Sequence, residues 1–74
     1  MSKEEQNMID YIVVCVNEFG DKLGVNYKDA FNYLNKYKVI KFIKENYEIE
    51  HTLSLDDAID DMMIVAQNNG GNLI

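Results

Sequence analysis

One long apolar stretch constrains the fold of this chain more than any other feature. Residues 8–19 read MIDYIVVCVNEF, and the six from Tyr11 to Val16 carry no charge. Within the stretch, apolar residues recur at the three- and four-residue spacing of one helix face: Ile9, Ile12, Val13, Val16 and Phe19. Although β-branched residues favour strands, this face continues at helical spacing to Leu23, so the pattern predicts a helix.

The limits of this first helix can also be read from the sequence. Ser2 and Glu5 form a capping box, which places the first helical residue at Lys3. Gly24 suits the left-handed position that ends many helices. We therefore predict a helix over 3–23, and we expect Gly20 to fray or kink it, because glycine costs about 1 kcal/mol in a helix relative to alanine.

Two shorter helices are expected next. Asn26, with Asp29 three residues on, predicts an N-terminus for a helix over 27–36. Its apolar face consists of Tyr27, Ala30, Phe31 and Leu34. The pattern then restarts out of phase at Val39, which predicts a short helix over 39–46. A single helix over 27–46 stays open as an alternative, because neither proline nor glycine enforces the break.

The last third of the chain changes period and then returns to a helical pattern. Residues 47–53 alternate between apolar and polar, which predicts an extended connector. Ser54 and Asp57 then predict the start of a helix over 55–69, which the Gly70–Gly71 pair would end. Residues 72–74 would form a short tail that either packs down or frays. The expected fold is all-α, a single domain over 1–74 with about four helices.

Length and cysteine content limit the cellular setting. A chain of 74 residues buries only about 60% of its unfolded surface, and such small domains often gain stability from a partner. Cys15 is the only cysteine, so neither an intramolecular disulfide nor a multi-cysteine zinc site can form. No leader pattern and no apolar run of membrane-spanning length is present in the sequence, so we expect a cytoplasmic protein.

Charge is distributed unevenly along the chain. The net charge is −6, and all seven basic residues are lysine, which opposes general affinity for nucleic acid or anionic membranes. Residues 28–44 hold five lysines against Asp29 alone, whereas residues 45–61 hold seven acidic residues and no lysine. These charges could be solvated faces only, or the acidic segment could contact a basic partner. The candidate interaction surface comprises Glu48, Glu50, His51, Asp56, Asp57, Asp60 and Asp61.

No residue pattern points to catalysis or to a cofactor. Cys15 lies between two valines in the first helix, where burial would raise the pKa of its thiol and leave it unreactive. The aspartates near residue 60 share one helix face and could attract a divalent cation, but they lack the glycine and ligand alternation of an EF-hand loop. We therefore expect no enzymatic activity, no bound metal and no cofactor.

The first helix is apolar on more than one side. Met8, Tyr11 and Cys15 form a second apolar line beside the first, so the apolar surface is wider than the stripe of roughly 100° that a surface helix needs. Either the other helices cover both sides, or one side is left for another chain. Met8 and Tyr11 are the candidate contacts for a dimer.

Residues 46–61, NYEIEHTLSLDDAIDD, together with the NNGG of residues 68–71 and the first helix, resemble a family of short bacterial domains of unknown function. The resemblance covers most of the chain. It implies a small helical protein with no assigned activity and brings no functional residues with it. Relatives in that family often lie near genes for ADP-ribosyltransferase-like or other toxin-type proteins, so the resemblance also implies an accessory or antitoxin-like role.

Together these features favour a small non-catalytic module that interacts with protein or regulates it, for example as a partner of a toxin-type enzyme. Two alternatives stay open. The first is a nucleic-acid-binding regulator that uses the lysine-rich segment 28–44, and the second is a homodimer with a structural role. We expect a protein partner or self-association, and we expect neither nucleic acid nor a membrane as the main partner.

Overall fold

The computed structural model describes residues 2–71, and this part of the chain folds into five helices. They are α1 (Lys3–Leu23), α2 (Tyr27–Lys36), α3 (Val39–Glu45), α4 (Tyr47–Glu50) and α5 (Leu55–Asn68). The prediction of a small all-α bundle is confirmed. The helices predicted over 39–46 and 55–69 each end one residue earlier than expected. The predicted tail at 72–74 lies outside the described residues.

Side-chain caps fix where three of the helices begin. In each case a side-chain oxygen accepts a hydrogen bond from the backbone N–H three residues on, as at many helix N-termini. These bonds join Ser2 to Glu5 at 3.2 Å, Asn26 to Asp29 at 2.8 Å, and Ser54 to Asp57 at 3.1 Å. α1, α2 and α5 therefore begin at the predicted residues.

The chain breaks between α2 and α3 at Lys38. This residue has a φ of +67°, the left-handed conformation that L-residues rarely adopt. Its conformation ends one helix and redirects the chain into the next, so the alternative of a single helix over 27–46 is wrong. The change of phase in the apolar pattern indicated this break correctly, although no glycine marks it.

The predicted extended connector at 47–53 is wrong, because this segment begins with the helical turn α4. The backbone N–H groups of Glu50 and His51 donate to the carbonyl oxygens of Asn46 and Tyr47, both at 2.9 Å. The apolar and polar residues alternate in the sequence, but their exposure does not follow. Ile49 points outward and Glu50 is buried, so the period of two reflects composition and not a strand.

Gly20 lies inside α1, which continues through it to Leu23. A Cβ atom at this position would lie 2.9 Å from the carbonyl oxygen of Val25 and 3.4 Å from the Cβ of Ala30. The glycine therefore permits close contact between α1 and the chain that enters α2, and the expected fraying there is not observed. Gly24, at a φ of +70°, ends the helix as predicted.

The core lies along one side of α1 and is closed by α2, α3 and α5. From α1 it takes Ile12, Cys15, Val16 and Phe19, whereas Ile9 and Val13 on the predicted face are largely exposed. The buried side of α1 thus lies closer to the second apolar line than the sequence predicts, and the other helices cover this side. The remaining core residues are Ala30, Leu34, Val39, Ile40, Ile43, Ala58, Ile59, Met62 and Ala66.

Candidate functional site

An open groove of about 530 Å³ lies between the first turns of α1 and the corner where α3 meets α4. Residues from both ends of this corner and from the start of the chain line it: Glu4, Asn7, Met8, Lys44, Glu45, Asn46, Tyr47, Glu48, Ile49 and His51. We call it the α1–α4 groove. Of the predicted site residues, it brings together Met8, Glu48 and His51.

The α1–α4 groove has an apolar and aromatic part. Met8 is half-buried and packs against the core. The ring of Tyr47 stacks on the His51 ring, with 4.6 Å between centroids, and meets the Tyr11 ring edge-on at 5.6 Å. Ile49, at 65% exposure, is the most exposed large apolar side chain that the structure describes. The groove therefore presents an uncovered aliphatic side chain beside aromatic surface.

The charged residues of the groove are mostly acidic. Glu4, Glu45 and Glu48 lie on its walls with Lys44 as the one lysine among the lining residues. All four side chains are exposed to solvent. The groove therefore favours a positively charged ligand over a negatively charged one.

Local hydrogen bonds explain why residues 46–52 form a compact turn here. The Asn46 side-chain amide donates to the carbonyl oxygen of Phe42 at 3.0 Å, and the Thr52 hydroxyl donates to that of Ile49 at 2.7 Å. Nδ1 of His51 lies 2.7 Å from the carbonyl oxygen of Tyr47. Short polar side chains thus satisfy backbone groups that a single helical turn leaves unpaired.

Behind the groove, α4 is joined to α1 by a partly buried polar contact. The Tyr11 hydroxyl donates to the backbone carbonyl oxygen of Glu50 at 3.0 Å. Cys15, one turn along α1, is fully buried beside it. Burial raises the pKa of both the Tyr11 hydroxyl and the Cys15 thiol above their ordinary values, so both groups stay protonated at neutral pH.

The side chain of Glu50 is buried and faces a second carboxyl group. It is 4% exposed, and its Oε1 atom has no hydrogen-bond partner among the described residues. Burial, followed by hydrogen bonding and charge repulsion from Asp61 on α5, raises the pKa of Glu50 from 4.5 to about 7. Among the acidic side chains that the structure describes, Glu50 has the most strongly raised pKa.

The predicted acidic surface does not form one continuous face. Glu50 is buried and so does not share it, and Asp61 is half-buried beside Glu50. Asp57 and Asp60 are exposed on α5. Glu48 and His51 line the groove instead, so two separate regions replace the single surface that the sequence suggested.

Asp56, also on the predicted surface, forms an ion pair with Lys22 at 2.8 Å. This hydrogen bond raises the pKa of Lys22 and lowers that of Asp56. Lys22 lies near the end of α1, about 20 Å along the helix from Met8 at 1.5 Å per residue. Asp56 therefore belongs to a different region from the α1–α4 groove.

Both candidate dimer contacts take part in contacts within the chain. Tyr11 is half-buried and bonded to Glu50, and Met8 is half-buried at the groove.

In residues 2–71, no three histidine, cysteine, aspartate or glutamate side chains lie close enough together to hold a metal ion. The same residues include no helix with the length and apolarity needed to cross a bilayer.

Sequence reasoning missed most of the groove. Glu4, Asn7 and Met8 share one side of α1 at three- and four-residue spacing, and this signal was available in the sequence. The exposure of Ile49 could not be expected from the sequence, because the alternation over 47–53 predicts an extended connector and not a helical turn. The approach of α4 to the first turns of α1 depends on tertiary packing and leaves no local signal.

Fold and groove together define a small all-α bundle with an open, mostly acidic groove. The chain belongs to the family described as "Protein of unknown function (DUF3791)", whose model matches residues 10–69. This confirms the resemblance noted for residues 46–61. No curated protein and no solved structure matches the chain. The matched range includes α4, Glu50 and Asp61, whereas Glu4, Asn7 and Met8 precede it.

Proposed function

We propose that this chain is a small non-catalytic module that binds another protein through the α1–α4 groove. The ligand is a segment of the partner that carries an apolar side chain flanked by basic residues. The exposed side chain of Ile49 is the observation that carries this proposal. Ile49 is 65% exposed beside Tyr47 and Met8, and a partner that covers it removes apolar surface from water, which favours binding.

The charges of the groove support the choice of a basic ligand. Glu4, Glu45 and Glu48 would meet lysine or arginine side chains at the edge of the interface, where complementary charge speeds association and selects partners. The net charge of −6 supports a foreign partner over a second copy, because two copies would repel each other. The single free thiol, Cys15, suits a reducing cytoplasmic location.

An accessory or antitoxin-like role is one form of this function. It is implied by the family resemblance of residues 46–61 and would make the partner a toxin-type enzyme. A module of this kind acts by occupying a surface, so it needs no catalytic group of its own.

Selection of peptides on the immobilised chain tests the proposal. A random 12-residue peptide library is displayed on phage and selected against the wild-type chain, and the recovered peptides are then measured by titration. We expect peptides that combine an apolar residue with lysine or arginine. Ile49→Asp should weaken their binding at least tenfold, because burial of an isoleucine side chain is worth about 1.5–3 kcal/mol.

Ile64→Asp is the matched control. Ile64 is also an exposed isoleucine, at 54%, but lies on α5 outside the groove. It should bind the selected peptides as the wild type does. Selection of no peptide, or equal loss of binding in both variants, would overturn the proposal. A wild-type chain that is dimeric in solution and becomes monomeric with Ile49→Asp would replace it with self-association through the same groove.

A further inference from the structure

Glu50 contacts two different helices through two different groups. Its backbone carbonyl oxygen accepts the hydrogen bond from Tyr11 of α1, and its carboxyl group lies within hydrogen-bonding reach of the Asp61 carboxyl on α5. Glu50 therefore links α4 to both α1 and α5. The three residues before it in α4 all line the α1–α4 groove.

The titratable groups around the Glu50 carboxyl include no cation among the residues that the structure describes. From α1 it faces the Tyr11 hydroxyl and the Cys15 thiol, both of which are uncharged at neutral pH. From α5 it faces Asp61. On α4 itself, the Tyr47 ring packs against Tyr11 and Glu48 is exposed. Nothing in this set offsets a second negative charge.

An ionised Glu50 would thus be a buried carboxylate with one unpartnered oxygen beside a second carboxylate. Both conditions are unfavourable, because burial and like charge each disfavour the charged form. A protonated Glu50 removes both problems, since its O–H group can donate to the Asp61 carboxylate. We propose that Glu50 and Asp61 hold one proton between them, and that loss of this proton moves α4 away from α5.

The pKa of Glu50, about 7, supports this proposal, with burial as the larger cause and Asp61 as the second. The proton leaves to solvent, and two carboxylates then face each other. The proton is therefore lost near neutral pH and not near pH 4.5.

Movement of α4 would alter the groove, because Tyr47, Glu48 and Ile49 all belong to α4. If the groove binds a partner, proton binding at Glu50 and partner binding are linked, and affinity falls as pH rises from 6 to 8. This last step rests on the function proposed above. The proton itself does not, because it can be observed in the chain alone.

Nuclear magnetic resonance of the isotope-labelled chain tests the proton directly. The side-chain carboxyl signals of Glu50 and Asp61 are followed from pH 3 to pH 9, together with the backbone amides of residues 47–51. We expect the Glu50 carboxyl signal to change with a midpoint near 7, and the Asp61 signal and these amides to change together with it. Glu50→Gln should remove this transition from the Asp61 carboxyl and from the amides.

Glu48→Gln is the matched control, since Glu48 lies in the same turn but is exposed. It should leave the transition near pH 7 unchanged. Titration of wild-type Glu50 at its ordinary value would overturn the shared proton, whether or not the variants fold. Amides of residues 47–51 that do not follow the carboxyl transition would overturn the movement of α4. A groove that binds no peptide would refute the proposed function and leave both of these results standing.

Discussion

The hydroxyl group of Tyr11 and the backbone carbonyl oxygen of Glu50 are joined by a 3.0 Å hydrogen bond that spans 39 positions of the sequence. It connects the longest helix with the shortest, α1 with α4. Because the contact is partly buried, water cannot easily replace the bond when it is lost. This hydrogen bond therefore helps to hold α4, which forms one wall of the groove, against α1.

Tyr11→Phe should destabilise the chain by about 1–2 kcal/mol, because the Glu50 carbonyl loses its donor while the ring contact with Tyr47 is retained. Urea unfolding followed by circular dichroism measures the change. Tyr27→Phe is the control, since Tyr27 is exposed and should lose little. Equal stability of the wild type and Tyr11→Phe would show that the bond contributes nothing.

Glu50→Gln should change how stability depends on pH. The folded-state pKa of Glu50 lies above its ordinary value of 4.5, so the unfolded chain loses this proton first. The contribution of Glu50 to the free energy of unfolding is therefore fully present below pH 4.5 and is lost as pH rises to about 7. The loss is at most about 1.4 kcal/mol per pH unit. It should be present in the wild type and in Glu48→Gln, and absent in Glu50→Gln.

The measurement is urea unfolding at several pH values between 4 and 8, with each variant compared with the wild type at the same pH. The carboxyl groups that all three chains share, apart from Asp61, contribute nearly equally to each chain and cancel in the difference. Parallel curves for the wild type and Glu50→Gln across this range would contradict the prediction.

Gly20→Ala should destabilise the chain, although alanine normally stabilises a helix by about 1 kcal/mol relative to glycine. The added methyl group would lie 2.9 Å from the Val25 carbonyl oxygen, which belongs to backbone and cannot move freely. We expect a lower thermal midpoint. Asn17→Ala, at an exposed position of the same helix, should instead be neutral or slightly stabilising. A gain in stability from Gly20→Ala would refute the close contact.

Lys38→Gly should stabilise the chain by up to about 1 kcal/mol, because glycine adopts the left-handed conformation without the steric cost that other L-residues bear. Lys41→Gly removes the same charge from the interior of α3 and should destabilise by a similar amount. Chemical denaturation of both variants provides the comparison. Loss of stability in Lys38→Gly would show that the lysine side chain has a structural role there.

Much of the fold could be predicted because helix ends are local features. Ser2, Asn26 and Ser54 each satisfy a backbone N–H within three residues, and Gly24 supplies the left-handed end of α1. These signals need no knowledge of the rest of the chain.

The predictions that proved wrong concern residues whose position depends on contacts with distant parts of the chain. The sequence predicts an extended segment over Tyr47–Glu50 because apolar and charged residues alternate, but in the fold Glu50 is buried beside Tyr11 and Asp61 and Ile49 is exposed. The sequence also predicts Glu50 on an acidic surface, because a charged residue is rarely buried. The groove requires the start of α1 and the α3–α4 corner to meet, which no short stretch of sequence encodes.

The two contacts of Glu50 differ in what can break them. The bond from Tyr11 reaches the backbone, so it survives both ionisation of the side chain and any substitution that keeps the backbone in place. Only the contact with Asp61 responds to the proton. Release of that contact would therefore let α4 pivot while it stays attached to α1. A ligand in the groove would then contact α4 in a tilted position and would not lose this contact, so its affinity would change gradually with pH.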